Sequence, residues 1–454
     1  MGTTCSRRSV REQEPTTSSV RSVGEEESLS TINAAGHSQC LDAFSIALNQ
    51  ACVGEQLWYT SMRELQLVSI PFCCACRSIP ALFVRVEEET PRSLWDPKTR
   101  ISGRVPPVLA LRLTWAKERT DRFFCGTGDE RWRSLKVLRL GKLELSTGQD
   151  HVVWPARLER LVLNQGESTK LPSMVWPPHL QHLELGQLFI LHDSTFDWPA
   201  SLQQLTLSCY CIRPMTGVGW PTSLLQLSFG AMFNEPIAGI SWPVSLQQLS
   251  FGDRFDQPIA EVVWPASLQQ LSFGDSFNYP ITNVVWPVSL ERLGFGDCFN
   301  QSIAVLWPPS LQRLRFAYGF NRPIAAVLWP SSLLQLSFGC YFDQPIAGVV
   351  WPGSLEQIHF GESFNQPIAR VVWPASLTQL SFGWHFNQRI AGSTWPSSLR
   401  WLSFGESFNQ PLTGTIWPTS LQQLSFGTAF DQPIAGVVWP ASLRSVTRNG
   451  SSLL

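Results

Sequence analysis

A single dipeptide recurs at an almost constant interval through the last two-thirds of the chain. Trp-Pro begins at residues 154, 176, 198, 220, 242, 264, 286, 307, 329, 351, 373, 395, 417 and 439. Twelve of the thirteen intervals are 22 residues long, and the interval from 286 to 307 is 21. A fixed period of about 20 to 50 residues is typical of stacked repeats. The chain is therefore predicted to form an elongated solenoid.

Each repeat has the pattern of a short strand followed by tight turns. In the coil that begins at Leu224, Leu227 and Phe229 alternate with polar residues, which predicts a strand with one buried face. Gly230 follows this strand and is predicted to turn the chain at positive φ. Asn234 is predicted to cap the backbone donors of the next turn. Two prolines per coil leave little room for a helix, so the array is predicted to be β-rich and helix-poor.

Fifteen such strand motifs define the extent of the array. They begin at Leu135 and end with the motif at Leu443, which gives 15 coils over residues 134–448. Arg448 stands where the other motifs have Phe or Leu, and we interpret it as a polar C-terminal cap that blunts the open strand edge. Residues 449–454 are predicted to be a short tail.

The sequence of one coil resembles a known repeat. The pattern is Pro-x-Ser-Leu-x-x-Leu-x-Phe-Gly-x-x-Phe-Asn-Gln-Pro-Ile, and Phe364-Asn365-Gln366-Pro367-Ile368 matches its second half closely. It resembles the FNIP repeat, a 22-residue relative of the leucine-rich repeat. The resemblance covers about 134–448, and ten of fifteen coils carry the Phe-Asn or Phe-Asp motif. It implies a leucine-rich-repeat-like solenoid and a role in protein–protein interaction, and it brings no catalytic residues.

The first 133 residues lack the repeat. Residues 1–36 are rich in Ser and Thr without apolar periodicity, which predicts a disordered tail. Residues 37–133 are predicted to be a small, irregular α/β region with a short helix near 38–53. Degenerate strand motifs at 62–67, 81–86 and 108–113 resemble those of the array. This region is either a cap of the solenoid or a separate domain.

Two positions in each coil vary while their neighbours repeat. They lie between the glycine that follows the strand and the next phenylalanine, and a variable row on a rigid scaffold suits recognition of a protein or peptide. Strand substitutions add further candidates, namely Glu291, Arg292, Arg313, Arg315, His359, Arg400 and Trp401. The alternative is that unconstrained turn positions simply drift. The predicted partner-binding residues are Asp253, Arg254, Asp275, Asp297, Tyr318, Tyr341, Glu362, Trp384, His385, Arg400, Trp401 and Glu406.

The N-terminal hexapeptide fits the myristoylation pattern M-G-x-x-x-[ST]. Gly2 would take the myristate and Cys5 a palmitate. One chain alone binds a membrane only marginally, so a second signal is required for stable anchoring. The pattern thus predicts peripheral membrane association, against the alternative that the match arises by chance.

Composition excludes several classes of function. The net charge of −1 argues against a nucleic-acid binder, which needs a basic excess. No apolar run is long enough to span a membrane, and the N-terminus lacks the apolar core of a signal peptide. A cytoplasmic location is expected, with a protein or peptide partner, no cofactor, no metal and a monomeric state.

Three functions compete at this point. The first is a non-catalytic interaction scaffold, which acylation of the N-terminus would tether to a membrane. The second is a carbohydrate-binding solenoid, which would require exposed Trp. The third is an enzyme or adaptor activity within residues 37–133. The ladder Trp sit at one fixed phase of the repeat beside Pro and Val, so we expect them to be buried.

Overall fold

A computed structural model gives the architecture of the repeat array. It describes the backbone of two strands in the N-terminal region, the strand-bearing parts of the first four coils, and an unbroken run of coils to the C-terminus. The described residues are 82–86, 108–113, 135–140, 154–164, 176–186, 197–208 and 215–453.

These residues form 18 short strands, and within them the structure contains no helix and hence none that could cross a membrane. The strands are β1 (Leu82–Val86), β2 (Val108–Leu113), β3 (Val137–Leu140), β4 (Arg160–Leu163), β5 (His182–Leu185), β6 (Gln204–Leu207), β7 (Gln226–Phe229), β8 (Gln248–Ser250), β9 (Gln270–Ser272), β10 (Arg292–Phe295), β11 (Arg313–Phe316), β12 (Gln335–Ser337), β13 (Gln357–His359), β14 (Gln379–Ser381), β15 (Trp401–Ser403), β16 (Gln423–Phe426), β17 (Ser445–Arg448) and β18 (Ser451–Ser452).

Strands β1 to β17 pair in chain order as one parallel sheet. Equivalent residues of successive coils are in register, so that Leu227 pairs with Leu249 and Leu249 with Leu271. The predicted β-rich, helix-poor solenoid is confirmed. Strand β2 pairs with β3 and places Leu111 beside Leu138, so the predicted strands at 81–86 and 108–113 extend the same sheet. The tail 1–36, the helix near 38–53 and the motif at 62–67 lie outside the described residues.

The core consists of aromatic side chains stacked from coil to coil. Within one coil the rings of Phe229 and Phe233 are 4.1 Å apart. Between coils, Phe229 stacks on Phe251 at 5.5 Å and Phe233 on Phe255 at 6.0 Å. Strands spaced about 4.8 Å apart bring equivalent rings into contact. Each coil therefore buries its apolar side chains against both neighbours.

The glycine that follows each strand serves a different purpose from the one predicted. Gly230 does not adopt positive φ, so that prediction was wrong. A Cβ added to Gly252 would lie 2.1 Å from the carbonyl oxygen of Gly230. The residue is glycine because the backbones of successive coils meet here. Positive φ occurs instead in the Ala-Gly turn farther along, as at Gly239 and Gly348.

The one 21-residue coil loses a residue in that same turn. In the preceding coil Val284 N donates to Ile281 O across a four-residue turn. In the short coil Val305 N donates to Ile303 O at 2.9 Å, across three residues. The tighter turn absorbs the deletion, so that the Trp-Pro ladder continues beyond it.

The asparagine ladder also connects coils. The Oδ1 atom of Asn234 accepts a hydrogen bond from the backbone N of Asp256 at 2.8 Å. Asp256 in turn accepts from the N of Asn278 at 3.0 Å. The capped donor belongs to the next coil, whereas the sequence had predicted a cap within one turn. Each side chain therefore ties one coil to the next.

A hairpin covers the C-terminal edge of the sheet. Asn449 and Gly450 both have positive φ, 47° and 75°, as a two-residue type I′ turn requires. Strand β18 then pairs antiparallel with β17. The prediction of a tail at 449–454 was therefore wrong for residues 449–453. Arg448, predicted to be the polar cap, donates from Nη1 to Phe430 O at 3.0 Å.

Candidate functional site

The variable turn residues form a regular, exposed row along one edge of the sheet. We call them the rim row. Its backbone is fixed by bonds between coils, because Arg254 N donates to Ala231 O at 2.9 Å and His385 N to Glu362 O at 2.8 Å. The side chains are therefore presented at the coil repeat. The rim row comprises residues 231–232, 253–254, 275–276, 297–298, 318–319, 340–341, 362–363, 384–385, 406–407 and 428–429.

The predicted rim residues are exposed, with one exception. Tyr318, Tyr341 and Trp384 keep 45%, 55% and 56% of their surface in contact with solvent. Large aromatic side chains held open on a rigid support are the residues that anchor protein partners most effectively. Glu406 is the exception, since it is only half-exposed. The remaining exposed candidates in this row are Asp253, Arg254, Asp275, Asp297, Glu362 and His385.

Two neighbouring aromatic residues of the rim row form a cluster. The rings of Tyr318 and Tyr341 meet edge to face, with centroids 4.9 Å apart. Burial, followed by the charge of Glu362, raises the pKa of the Cys340 thiol to about 11. The thiol is therefore protonated at neutral pH, which disfavours a nucleophilic role. The cluster is suited to contact and not to covalent chemistry.

The acids of the rim row differ in what they contact. The Oε2 atom of Glu406 accepts bonds from Thr428 N at 2.8 Å and from Thr428 Oγ1 at 2.7 Å. These bonds lower the pKa of Glu406, so its carboxylate supports the next coil. Asp253, Asp275 and Asp297 stand on three successive coils. Glu406 therefore has a structural role in addition to any role in binding.

The two strand candidates lie on the outward face of the sheet. Trp401 is half-buried and pairs in register with Gln379 and Gln423, and Arg400 is exposed beside it. They line a shallow groove of about 640 Å³. Trp384 lies five positions farther along its coil than Gln379. Trp384 and Trp401 are therefore at different levels of the sheet.

A second groove, of about 370 Å³, crosses the sheet from β7 to β12. Its lining contains Arg292, Arg313 and Arg315 in a setting of Gln and Ser side chains. In the part of the chain that the structure describes, no group of three or more His, Cys, Asp or Glu side chains is placed to hold a metal ion. In the two grooves and the rim row, the side chains depart from the residues that the other coils repeat, so these surfaces are the candidate binding sites.

Comparison with known families identifies the repeat. The model of the FNIP Repeat matches residues 233–276, 255–298, 342–383, 364–407 and 408–447. Residues 233–298 and 342–447 are therefore FNIP repeats. No curated protein matches the sequence at a significant level.

Comparison with the solved structure of CroV588 places the repeat array among leucine-rich-repeat folds. CroV588, described as a novel circular leucine-rich-repeat protein, is 28% identical with a TM-score of 0.53. The match covers 81% of this chain and 66% of CroV588, so the chain spans slightly less than two-thirds of that relative. YopM from Yersinia enterocolitica is 16% identical with a TM-score of 0.40, covering 91% of this chain and all of YopM. An internalin from Listeria monocytogenes is 14% identical, also at 0.40, covering 79% and 87%.

The FNIP coils bury their repeated tryptophans, as the sequence predicted. Trp242, Trp264 and Trp286 keep only 7–8% of their surface exposed, and neighbouring indoles stack, at 6.3 Å for Trp242 and Trp264. A sugar-binding platform needs an open ring face. Nine of the fourteen ladder Trp are buried, and the other five are half-buried. None is fully exposed, so the ladder gives the carbohydrate-binding hypothesis little support.

Sequence reasoning missed one exposed surface of the FNIP array. In the described Val-Val-Trp-Pro segments the first valine is buried or half-buried, as Val262 and Val284 are, and the second faces solvent, as Val263 does with 82% exposure. The same position forms an aliphatic row along the outer face. Two-residue alternation beside a buried Trp is the signal that could have indicated it. The row comprises Val263, Val285, Leu306, Leu328, Val350, Val372, Ile416 and Val438.

Proposed function

We propose that this protein is a non-catalytic protein–protein interaction scaffold whose partner contacts the rim row. Leucine-rich-repeat solenoids commonly serve as interaction scaffolds, and the FNIP array has that fold. The observation that carries the proposal is the solvent exposure of Tyr318, Tyr341 and Trp384 in a row whose backbone is fixed.

The physical argument rests on rigidity. A partner that binds a fixed row loses little of the free energy of association to ordering the scaffold. Interface energy concentrates in a few aromatic and charged anchors surrounded by near-neutral contacts. Tyr341 and Trp384 are such anchors, and Asp253, Asp275 and Asp297 supply an acidic stretch that favours a basic segment of the partner.

The experiment compares partner recovery by matched variants. Proximity labelling and cross-linking with the double variant Y341A/W384A are expected to lose the partners that wild type labels. Y279A is the control, because Tyr279 is exposed at 37% but lies outside the rim row. An unchanged set of partners in Y341A/W384A would refute the rim proposal, as would equal loss in Y279A.

The membrane tether is a separate part of this proposal. It depends on Gly2 becoming the N-terminal residue and on Cys5 receiving a second acyl chain. Intact-mass measurement of protein from eukaryotic cells should show an increment for myristate that G2A abolishes, and C5S should lower the membrane-bound fraction. A free or acetylated N-terminal amine would disprove the tether and leave the rim proposal unaffected.

The remaining expectations stay predictions from the sequence. They are the cytoplasmic location, the monomeric state and the absence of a cofactor. The alternative is an enzyme or adaptor activity in residues 37–133, and the Y341A/W384A variant tests it. If this variant loses its partners but keeps such an activity, the activity does not depend on the rim anchors, as the N-terminal alternative expects.

A further inference from the structure

Two adjacent coils break the polar pattern on the outward face of the sheet. Seven of the eleven strands from β7 to β17 carry Gln at the third position of the coil, and two carry Arg. The two arginines, Arg292 and Arg313, pair directly in register on β10 and β11. Arg315 lies two residues farther along β11, at a position that is Ser in most coils.

This arrangement works against the stability of the sheet. Adjacent strands lie about 4.8 Å apart, and like charges directly opposite one another on neighbouring strands are destabilising. Among the described residues no carboxylate forms an ion pair with Arg292, Arg313 or Arg315. The fold does not require these residues, since glutamine replaces Arg292 and Arg313, and serine replaces Arg315, in most other coils. Their clustering therefore needs a reason outside the fold.

The surrounding groove fits a negatively charged group. Arg315 pairs with Gly294, which has no side chain and leaves space beside the guanidinium. His359, two strands away, has its pKa lowered by partial burial and by the charge of Arg315. The groove holds about 370 Å³ and crosses six strands. It therefore joins a concentrated positive charge to a longer polar channel.

We propose that Arg292, Arg313 and Arg315 bind the phosphoryl group of a phosphorylated peptide that lies across strands β7 to β12. Guanidinium groups match phosphate oxygens with paired, charge-assisted hydrogen bonds. Three of them provide the charge to neutralise a phosphate dianion. This site is on the sheet face, so it is separate from the rim row and does not rest on its function.

The length and the chemistry of the groove favour a peptide. Six strands span about 24 Å at about 4.8 Å each, which is the length of about seven extended residues. Amides of Gln226, Gln248, Gln270 and Gln335 line the groove with Ser hydroxyls, and these groups can both donate to and accept from a peptide backbone. A nucleic acid would need charge along the whole path, and here it is confined to two coils.

The test uses a defined probe on the full chain. A fluorescein-labelled heptapeptide pool with a central phosphoserine is titrated, and its fluorescence anisotropy is compared with that of the same pool carrying serine. We expect the phosphoserine pool to bind at least tenfold more tightly, and inorganic phosphate to compete with it. Equal binding of the two pools would overturn the proposal. Tighter binding of a labelled heptathymidylate, or binding of inorganic phosphate without any gain from the peptide, would also overturn it.

Each variant replaces an arginine with the residue that most other coils have at the same position. R292Q and R313Q restore the glutamine of neighbouring coils, and R315S restores their serine. Each should weaken the phosphoserine pool about tenfold or more, the loss expected for a charge-assisted bond, while its melting temperature equals or exceeds that of wild type. R370Q, which removes one positive charge from an exposed turn outside the rim row and both grooves, is the control and should bind normally. Unchanged binding by R313Q, or equal weakening by R370Q, would refute the site.

The two sites can fail independently. The Arg variants should keep the partners that depend on Tyr341 and Trp384, and Y341A/W384A should keep phosphopeptide binding. If the Arg variants lose the partners that depend on the rim row, the groove and the rim row form one site. That result would overturn the proposal that the two sites are separate.

Discussion

Removing one carboxamide from the asparagine ladder should loosen the junction between two coils. The Oδ1 atom of Asn387 accepts from Asn409 N at 3.0 Å and from Gln410 Nε2 at 3.0 Å. N387A leaves both donors without their protein acceptor. Because both bonds run from Asn387 to the next coil, the effect should be local to the coil that follows.

The free energy that N387A removes from this junction can be estimated from the two hydrogen bonds. An intramolecular hydrogen bond contributes about 0.5–1.5 kcal/mol net, so two bonds contribute about 1–3 kcal/mol. Asn387 is exposed, and water can replace part of the interaction. We therefore expect a loss of about 1–2 kcal/mol, which corresponds to about a 5- to 30-fold rise in the open population of this junction.

N387D is the matched control. Aspartate keeps the acceptor oxygen, and Asp343 in the same ladder position accepts from Asn365 N and Gln366 Nε2, each at 2.9 Å. Hydrogen exchange followed by mass spectrometry on the peptide that contains Asn409 measures local opening. N387A should accelerate exchange there while N387D does not. Equal exchange in N387A and wild type would refute the ladder, and so would equal acceleration by both variants.

Three further predictions concern the core and the rim row. In urea unfolding, G252A should lower the free energy of unfolding by about 3 kcal/mol or more, because its Cβ would lie 2.1 Å from a carbonyl oxygen of the previous coil. G353A is the control and should leave urea unfolding unchanged, because nothing lies within 4 Å of its Cβ. Equal effects of the two variants would contradict the argument that the coils approach closely at Gly252. At pH 8.5 iodoacetamide should alkylate Cys340 slowly because its pKa is about 11, and E362Q should speed the reaction by removing one cause of that shift; an unchanged rate would count against it. W384F should lower the fraction of tryptophan emission that acrylamide quenches, since Trp384 is 56% exposed; an unchanged fraction would show that this side chain is covered.

The coil pattern was predictable from the sequence because it rests on two local regularities. The 22-residue period located the strands, and the alternation within Leu-x-x-Leu-x-Phe identified the buried positions, as Leu227 and Phe229 show. Exposure of the rim candidates followed from the same pattern. The hairpin at Asn449-Gly450 was also encoded, since Asn-Gly between strand-forming residues is a strong hairpin signal.

Other features depend on distances between coils and had no local signal. The glycine after each strand could be read as a turn residue until the structure brought its Cα against a carbonyl of the previous coil. The burial of Val262 and the exposure of Val263 depend on which of two neighbours faces the Trp ladder. The hydrogen bonds of Glu406 could not be predicted without knowing that Thr428 lies beside it in the next coil.

The sequence by itself determined that this chain contains an FNIP-type array of short parallel strands. With a strict period and one apolar face per strand, every coil can bury that face only by stacking on its neighbours. Only the tertiary structure decided what lies beside what. Stacking at about 4.8 Å places residues of successive coils beside each other, and this puts Arg292 against Arg313 and Tyr318 against Tyr341. Binding chemistry resides in such pairs, which no single repeat contains.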